Sequence, residues 1–250
     1  MRVSLICLMS SLLFISNALA IKVCGDIKQG EIIVVHDGNK TFLKALRRDE
    51  PSPFKIGKLS FGVEKTVWDT QSIKGVEQKK VMPSKEDEAE ILREQKGVQE
   101  ALKKNTNKKS DWKKGFIMPL DGQISGQFGN QRIFNGVKKN PHTGTDIAAP
   151  LNTPVKAPAD GVVVLAAKDY FFSGNMVILD HGDGLKTIYA HLNDISVQEG
   201  DSVFKGDVLG LVGQTGRATG PHLHWGAVLW GARFRPQSLL DINQKECRSY

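Results

Sequence analysis

The sequence predicts a mainly β protein. Its second half reads as an antiparallel β-sandwich or partly open barrel, preceded by a small β-rich module and a helical linker. Three observations carry this prediction: glycine-punctuated apolar runs from residue 115 onward, a charged helical stretch after Ser84, and short alternating runs before it. The 250 residues suffice for one large domain or two smaller ones. Five parts are predicted: a signal peptide (1–20), a small β-rich module (21–82), a helix with a basic linker (83–113), a β-domain (114–242) and a tail (243–250).

The first twenty residues have the pattern of a secretory signal. Arg2 precedes an apolar stretch from residue 3 to 15, and Ala18-Leu-Ala20 fits a signal-peptidase site, so we expect cleavage after Ala20. The apolar stretch is short for a membrane span, although a retained anchor stays open as an alternative. We therefore expect an exported protein of the periplasm or cell envelope, without stable membrane insertion after signal removal.

Cysteine usage and charge agree with export. Cys24 and Cys247 remain after the signal, and in an oxidising compartment they predict an intramolecular disulfide; two unrelated free thiols are the alternative. The net charge is +7, or +6 without Arg2. A basic surface can attract nucleic acid, anionic membranes or acidic polymers. Export argues against nucleic acid, whereas anionic membranes and acidic polymers both stay open as partners.

The β-rich module carries no recognisable chemistry. Residues 31–36 read as a strand, with a turn at Asp37-Gly-Asn-Lys, and residues 54–61 alternate like a half-buried strand. His36 has no partner motif, so we expect it to be structural or exposed.

A helix is predicted next. Ser84 and Asp87 resemble a capping box, and Gly97 weakens the prediction of an unbroken helix. The apolar stripe of this helix comprises Ile91, Leu92, Val98 and Leu102. Residues 103–110 read as a basic linker or as the solvated tail of the helix.

The β-domain is predicted from successive strands at residues 155–165, 175–180 and 186–191, with a repeat of the turn–strand rhythm at 199–213. The turn His181-Gly-Asp-Gly184 separates two of these strands, so His181 has a structural explanation.

The run His222-Leu-His224-Trp225 carries the chemistry. On an extended backbone, His222 and His224 share one face, while Leu223 and Trp225 point to the core. His142 and Asp146 are also separated by an even number of residues, so a strand would align them. Histidine with a carboxylate is the ligand chemistry of catalytic zinc, which keeps a fourth position for water.

Three blocks in order, within residues 116–240, resemble the lysostaphin/LytM-type zinc endopeptidases of bacterial peptidoglycan. The blocks are His142-Thr-Gly-Thr-Asp146, Tyr189-Ala-His191 and Thr215-Gly-Arg-Ala-Thr-Gly-Pro-His222-Leu-His224. The resemblance implies a fold of the duplicated hybrid motif type and one Zn²⁺ per chain. It also implies hydrolysis of peptidoglycan peptides. By the same resemblance, His142, Asp146 and His224 are the zinc ligands, and His191 and His222 are catalytic histidines that do not bind metal.

Several alternatives accompany this interpretation. A non-catalytic activator of another wall hydrolase is the main one, although such relatives usually lack ligands. A carrier domain would need a lysine at the 181–184 turn, and a phosphotransfer domain would leave Asp146 unexplained. His191 is assigned proton transfer, and His222 the orientation of water or stabilisation of an oxyanion; the two roles could be exchanged.

Secondary expectations concern the surroundings of the site. Gly213, Gly216 and Gly220 would let a peptide substrate approach the backbone closely. The aromatic run 170–172 would either wall a groove or pack over a sheet edge. Arg132 lies one residue away from the arginine position of the family pattern, which leaves its role open. The amino-terminal module would cover the groove, position the enzyme on its substrate, or only stabilise the chain.

Overall fold

The computed structural model describes residues 21–106 and 111–250. The predicted signal peptide and the end of the predicted basic linker, residues 107–110, lie outside these ranges. Within them, no helix combines the length and apolar character needed to cross a membrane. The elements in chain order are β1 (Lys22–Cys24), β2 (Ile32–Asp37), β3 (Lys40–Ala45), β4 (Phe54–Ile56), β5 (Leu59–Phe61), β6 (Thr70–Ile73), α1 (Gln78–Val81), α2 (Lys85–Lys103), β7 (Gln123–Gly126), β8 (Gln131–Phe134), β9 (Val137–Lys138), β10 (Thr145–Ala148), β11 (Pro154–Lys156), β12 (Gly161–Tyr170), β13 (Gly174–Asp180), β14 (Leu185–Ile195), β15 (Ser202–Val203), β16 (Val208–Val212), β17 (His222–Leu229), β18 (Ala232–Phe234) and β19 (Cys247–Ser249), with short 3-10 turns at Trp112–Lys114 and Pro236–Leu239.

A ten-stranded antiparallel sheet forms the second half of the described chain. Its main path runs β15-β12-β13-β14-β17-β10-β7; β18 extends from β17, and β16 joins β11 to β14. The predicted mainly β, antiparallel architecture is confirmed. One predicted strand is divided: residues 157–160 separate β11 from β12 because the backbone bends there.

The centre of this sheet supplies the rigid base of the site. In β17, Leu223 and Trp225 are fully buried, and His222 and His224 point to the opposite face, as the alternation predicts. Burying a side chain of this size contributes roughly 1.5–3 kcal/mol. A two-histidine face is therefore fixed by the apolar face behind it.

A four-stranded sheet, β19-β1-β2-β3, holds the two ends of the described chain together. Cys24 of β1 lies opposite Cys247 of β19, and the two form a disulfide across 223 residues, which confirms the predicted bridge. Ile32 and Val34 of β2 share a buried cluster with Phe234 of the large sheet. The small sheet is therefore packed against the large one.

One predicted strand of the amino-terminal half is wrong. Residues 54–61 form a hairpin of β4 and β5 instead of a single strand. Gly57 has a φ of 57°, a left-handed conformation that reverses the chain and that glycine adopts without strain. The apolar positions of the predicted strand are still buried at the open end of the hairpin, where Phe54 lies opposite Phe61.

Helix α2 has the predicted capping box. The Asp87 N–H donates to Ser84 Oγ (3.3 Å), and the Ser84 N–H donates to Asp87 Oδ2 (3.1 Å). The helix continues unbroken through Gly97, where a side chain would meet the Tyr170 hydroxyl at 3.1 Å. The predicted stripe is wrong at Leu92, which is 65% exposed because it lies outside the face that packs on the large sheet.

The segment before α2 contacts the second half directly. β6 pairs in parallel with β8, and Gln71 lies opposite Arg132. Lys80 Nζ donates to the Phe171 carbonyl (2.7 Å), and Glu94 accepts from the Phe171 N–H (2.9 Å). The division at residues 82 and 113 remains a prediction, and hydrogen bonds cross it.

Candidate metal centre and its cleft

Three side chains predicted as metal ligands converge at one point. Asp146 of β10 lies directly opposite His224 of β17 in the antiparallel ladder, which places their side chains next to each other. Asp146 Oδ1 lies 3.0 Å from both His142 Nε2 and His224 Nδ1, and these two nitrogens are also 3.0 Å apart. The three donor atoms could hold a metal ion.

His142 reaches the cluster from a loop, not from a strand. The bend at Gly144 interrupts the extended backbone before β10, so the even spacing of His142 and Asp146 does not act by strand alternation. The expected alignment along one strand is wrong for His142. Its ring is instead fixed by its own Nδ1, which donates to the Gln127 carbonyl at 2.9 Å.

The protonation of His142 tests whether the cluster suits a cation. A carbonyl can only accept, so Nδ1 carries a proton, and the ring in its neutral form presents an unprotonated Nε2. This nitrogen faces Asp146 Oδ1, another acceptor, in a place where both side chains are less than a tenth exposed. Two buried acceptors at this distance need a cation between them, either a proton on the ring nitrogen or a metal ion. The donor set therefore fits a metal ion.

Arg132 holds the other oxygen of the carboxylate. Arg132 Nη2 donates to Asp146 Oδ2 at 2.5 Å, which leaves Oδ1 to the histidine cluster. Burial alone would raise the pKa of Asp146, but the adjacent His142 and His224 rings hold it well below its usual range. The arginine that departs from the family pattern by one residue thus orients a candidate ligand, a role that its spacing did not reveal.

The two predicted catalytic histidines lie beside this cluster. The rings of His191 and His222 are 4.8 Å apart, and His222 Nε2 is 4.0 Å from Asp146 Oδ1. His191 Nδ1 donates to the Thr215 carbonyl and His222 Nδ1 to the Gly220 carbonyl, each at 2.8 Å. In their neutral forms both rings therefore present an unprotonated Nε2.

His191 has an unusual backbone and environment. Its φ is 64°, a left-handed conformation that costs a non-glycine residue energy and recurs at functional sites. Burial, followed by the neighbouring His222 and His224 rings, lowers the pKa of His191 to about 3. The ring is therefore neutral at physiological pH.

A cleft of about 680 Å³ opens over these residues. Its far wall comes from the amino-terminal half, where Gln71, Val76, Val81 and Gln95 line it. The aromatic run divides between the two expected roles: Phe172 lines the cleft, whereas Phe171 is buried under Lys80. The amino-terminal half is thus part of the cleft wall.

The glycines of the last block serve internal packing instead of substrate approach. A Cβ on Gly213 would lie 2.2 Å from the Asn193 nitrogen, and one on Gly216 would lie 2.4 Å from the Gly174 nitrogen. Both positions are occupied by the protein's own backbone, so the expectation is wrong for them. Gly220 has no atom within 4 Å of its Cβ position.

The remaining histidines have structural partners, as expected. His181 contacts the Asp160 carbonyl (2.9 Å) and the Thr187 hydroxyl (2.7 Å) in a buried turn. His36 contacts the Thr41 hydroxyl at 2.9 Å near the surface. Arg217, which no sequence motif singled out, also lines the cleft, and its guanidinium carbon lies 4.4 Å from the Phe172 ring centroid.

Comparison with known proteins agrees with this geometry. Residues 140–236 match Peptidase family M23. Peptidoglycan DD-endopeptidase ShyA of Vibrio cholerae is 41% identical over 128 residues, which are 50% of this chain and 29% of the relative. DD-carboxypeptidase/endopeptidase Mpg of Neisseria meningitidis is 48% identical over 98 residues, 39% of this chain and 22% of the relative. The chain thus spans less than a third of the length of these curated relatives.

A solved structure extends the likeness beyond the matched region. A candidate M23 peptidase from Pseudomonas aeruginosa is 29% identical, with a TM-score of 0.51, over 84% of this chain and 72% of that one. The five residues of the histidine–aspartate cluster all fall within residues 140–236. The part of the chain that builds the candidate metal centre is therefore the part that is similar to peptidase family M23.

Proposed function

We propose that this chain is a zinc-dependent endopeptidase that hydrolyses peptide bonds in bacterial peptidoglycan, with one zinc held by His142, Asp146 and His224. One observation carries the proposal: three donor atoms, from the buried His142 and Asp146 and the partly buried His224, converge at 3.0 Å beneath an open cleft. Two imidazole nitrogens and a carboxylate oxygen are a usual donor set for catalytic zinc, which keeps another position open. Bound there, the ion would supply Lewis acidity, making a nearby water more acidic and a substrate carbonyl more electrophilic.

His191 is the proposed proton acceptor. Its Nδ1 is committed to the Thr215 carbonyl, so its unprotonated Nε2 can take a proton from the attacking water. The same nitrogen can return the proton to the leaving amine. The fixed ring orientation removes the need to reorganise the base during the reaction.

His222 is proposed to orient the water. Its Nδ1 donates to the Gly220 carbonyl, so a neutral ring offers only an acceptor to the cleft. An acceptor at this position suits a water O–H, whereas stabilising an oxyanion would require a protonated ring. The alternative is that His222 transfers the proton and His191 orients the water. The kinetics of the His191→Ala and His222→Ala variants distinguish the two assignments.

The proposed target is a cross-link between D-amino acids of the stem peptides. Support comes from two relatives: one, 41% identical to this chain, is named a peptidoglycan DD-endopeptidase, and the other, 48% identical, is named a DD-carboxypeptidase/endopeptidase. The similarity covers less than a third of either relative, so the bond is part of the proposal.

The proposed location is the periplasm or cell envelope. The Cys24–Cys247 disulfide supports an oxidising compartment, which is also where peptidoglycan is found. We also propose the division into a β-rich module at 21–82, a helix with linker at 83–113 and the peptidase domain at 114–242.

Digestion of purified peptidoglycan tests the proposal. The full mature chain with zinc should release new amine termini from cross-linked stems, identified by mass spectrometry. A chelator should stop the release, and added zinc should restore it. Folded protein that binds no zinc and releases no termini would instead support a non-catalytic regulator.

A further inference from the structure

The cleft is rich in cations for its number of acids. Among its described lining residues, Asp146 is the only carboxylate, against three cations, Arg132, Lys139 and Arg217. Arg132 is paired with Asp146, and Lys139 Nζ donates to the Val81 carbonyl at 2.5 Å. Arg217 is the cleft cation whose side chain has no such hydrogen-bond acceptor among the described residues.

Arg217 is held in place by packing. Its guanidinium carbon lies 4.7 Å from the Phe134 ring centroid and 4.4 Å from the Phe172 ring centroid. Its backbone N–H donates to the Phe172 carbonyl at 2.9 Å. Two rings from separate elements, β8 and the turn between β12 and β13, thus restrain the guanidinium.

The guanidinium itself has no acceptor within the described parts of the chain. No carboxylate, carbonyl or hydroxyl in residues 21–106 or 111–250 accepts a hydrogen bond from it. Burial, followed by the charge of Arg132, lowers the pKa of Arg217 to about 10, so the group stays charged at neutral pH. A half-buried, charged fork of donors facing a cleft is prepared for an anion.

We propose that Arg217 binds a carboxylate of the peptide substrate and selects stem peptides that carry a free carboxylate near the cleaved bond. This inference rests on the proposed peptidase function. A planar guanidinium can give two parallel hydrogen bonds to a carboxylate, and the flanking rings hold its plane. The carboxylate belongs either to the terminus of the stem peptide or to the side chain of a diamino acid within it.

The test compares three cross-linked stem peptides of one sequence. One has all carboxylates free, one has its terminal carboxylates amidated, and one has its side-chain carboxylate amidated. With the full chain, kcat/KM should fall roughly 10- to 100-fold on one of the amides, since a charge-assisted pair is lost. The amide that loses activity identifies the source of the carboxylate.

Variants of Arg217 complete the test. Arg217→Met should lower kcat/KM by a similar factor on the free peptide, mainly through KM, and leave the sensitive amide almost unchanged. Arg217→Lys should retain part of the preference, because it keeps the charge but loses the fork. Arg93→Met is the control, since Arg93 is exposed on α2 away from the cleft. Zinc content and thermal unfolding check that each variant is folded.

Two results overturn the inference. One is a wild type that cleaves all three peptides equally well. The other is an Arg217→Met variant that keeps the wild-type preference, which would assign the carboxylate to the metal or to another cation. If the wild type cleaves none of the peptides, the proposed function fails. Calorimetric binding of the same peptides to wild type and Arg217→Met would then decide the anion site independently.

Discussion

Gly144 is the position where a single methyl group should disturb the metal centre most cleanly. A Cβ there would lie 2.7 Å from His224 Nε2 and 2.5 Å from the Trp225 carbonyl oxygen. Gly144 does not have a left-handed backbone, so alanine would act through space alone. Gly144→Ala therefore tests whether the His224 ring is a metal ligand whose position matters.

The expected effect follows from distances. The separation of 2.7 Å from His224 Nε2 is about 0.7 Å short of the 3.4 Å where ordinary contact begins, so the ring must move by a similar amount. Metal–ligand distances in well-formed sites vary by only about 0.2 Å. We therefore expect zinc affinity to fall on the order of 10- to 100-fold, with about 1–3 kcal/mol lost from the free energy of unfolding.

Competition with a chelator measures the zinc dissociation constant of the folded variant. Gly220→Ala is the matched control for zinc affinity, because nothing lies within 4 Å of its Cβ position and its backbone is not left-handed. Equal zinc affinity in folded Gly144→Ala and wild type would refute the assignment of the His224 ring to the centre.

Three further predictions follow from the same structure. His191→Ala and His222→Ala should keep zinc but lose about a hundredfold or more in hydrolysis, as general acid–base groups do; loss of metal from either would mean that ligand and catalytic roles were exchanged. Replacing Cys24 and Cys247 with serine should lower the free energy of unfolding by up to about 5 kcal/mol, because the bridge closes a loop of over 200 residues, and zinc should remain bound at 25 °C; an unchanged denaturant midpoint would contradict this. A chain beginning near Lys113 should melt at a lower temperature than the full mature chain, since it loses β6 from β8 and Ile32 from the shared core; an equal melting temperature with higher activity would instead support a removable cover.

Local alternation and ordered motifs predicted the parts of the site that lie on regular strands. The two faces of His222-Leu-His224-Trp225 follow from strand geometry, since a buried Trp225 fixes the histidines on the other side. The Ser84 capping box and the His181 turn were likewise local, and both formed. Cys24 and Cys247 could be paired because they were the two cysteines left after the predicted signal.

The features that the sequence did not reveal depend on contacts between distant segments. His142 points into the cluster because of the Gln127 carbonyl, not because of its spacing from Asp146. Gly213 and Gly216 read as substrate-facing, but their missing side chains make room for backbone from β14 and from the turn before β13. Arg132 becomes part of the site through its hydrogen bond to Asp146, which lies on another strand. Arg217 is held at the cleft by the Phe172 ring, which lies 45 residues earlier in the sequence.

Zinc content of the wild type and Asp146→Ala tests the central claim most directly. Asp146 Oδ1 contacts both candidate histidine ligands, so its removal opens the centre without touching either imidazole. Mass spectrometry under native conditions, on protein purified without chelator and offered zinc, should find one zinc per wild-type chain and none or weakly held zinc in the folded variant. A wild type that holds no zinc, or a variant that holds as much as the wild type, would contradict the account.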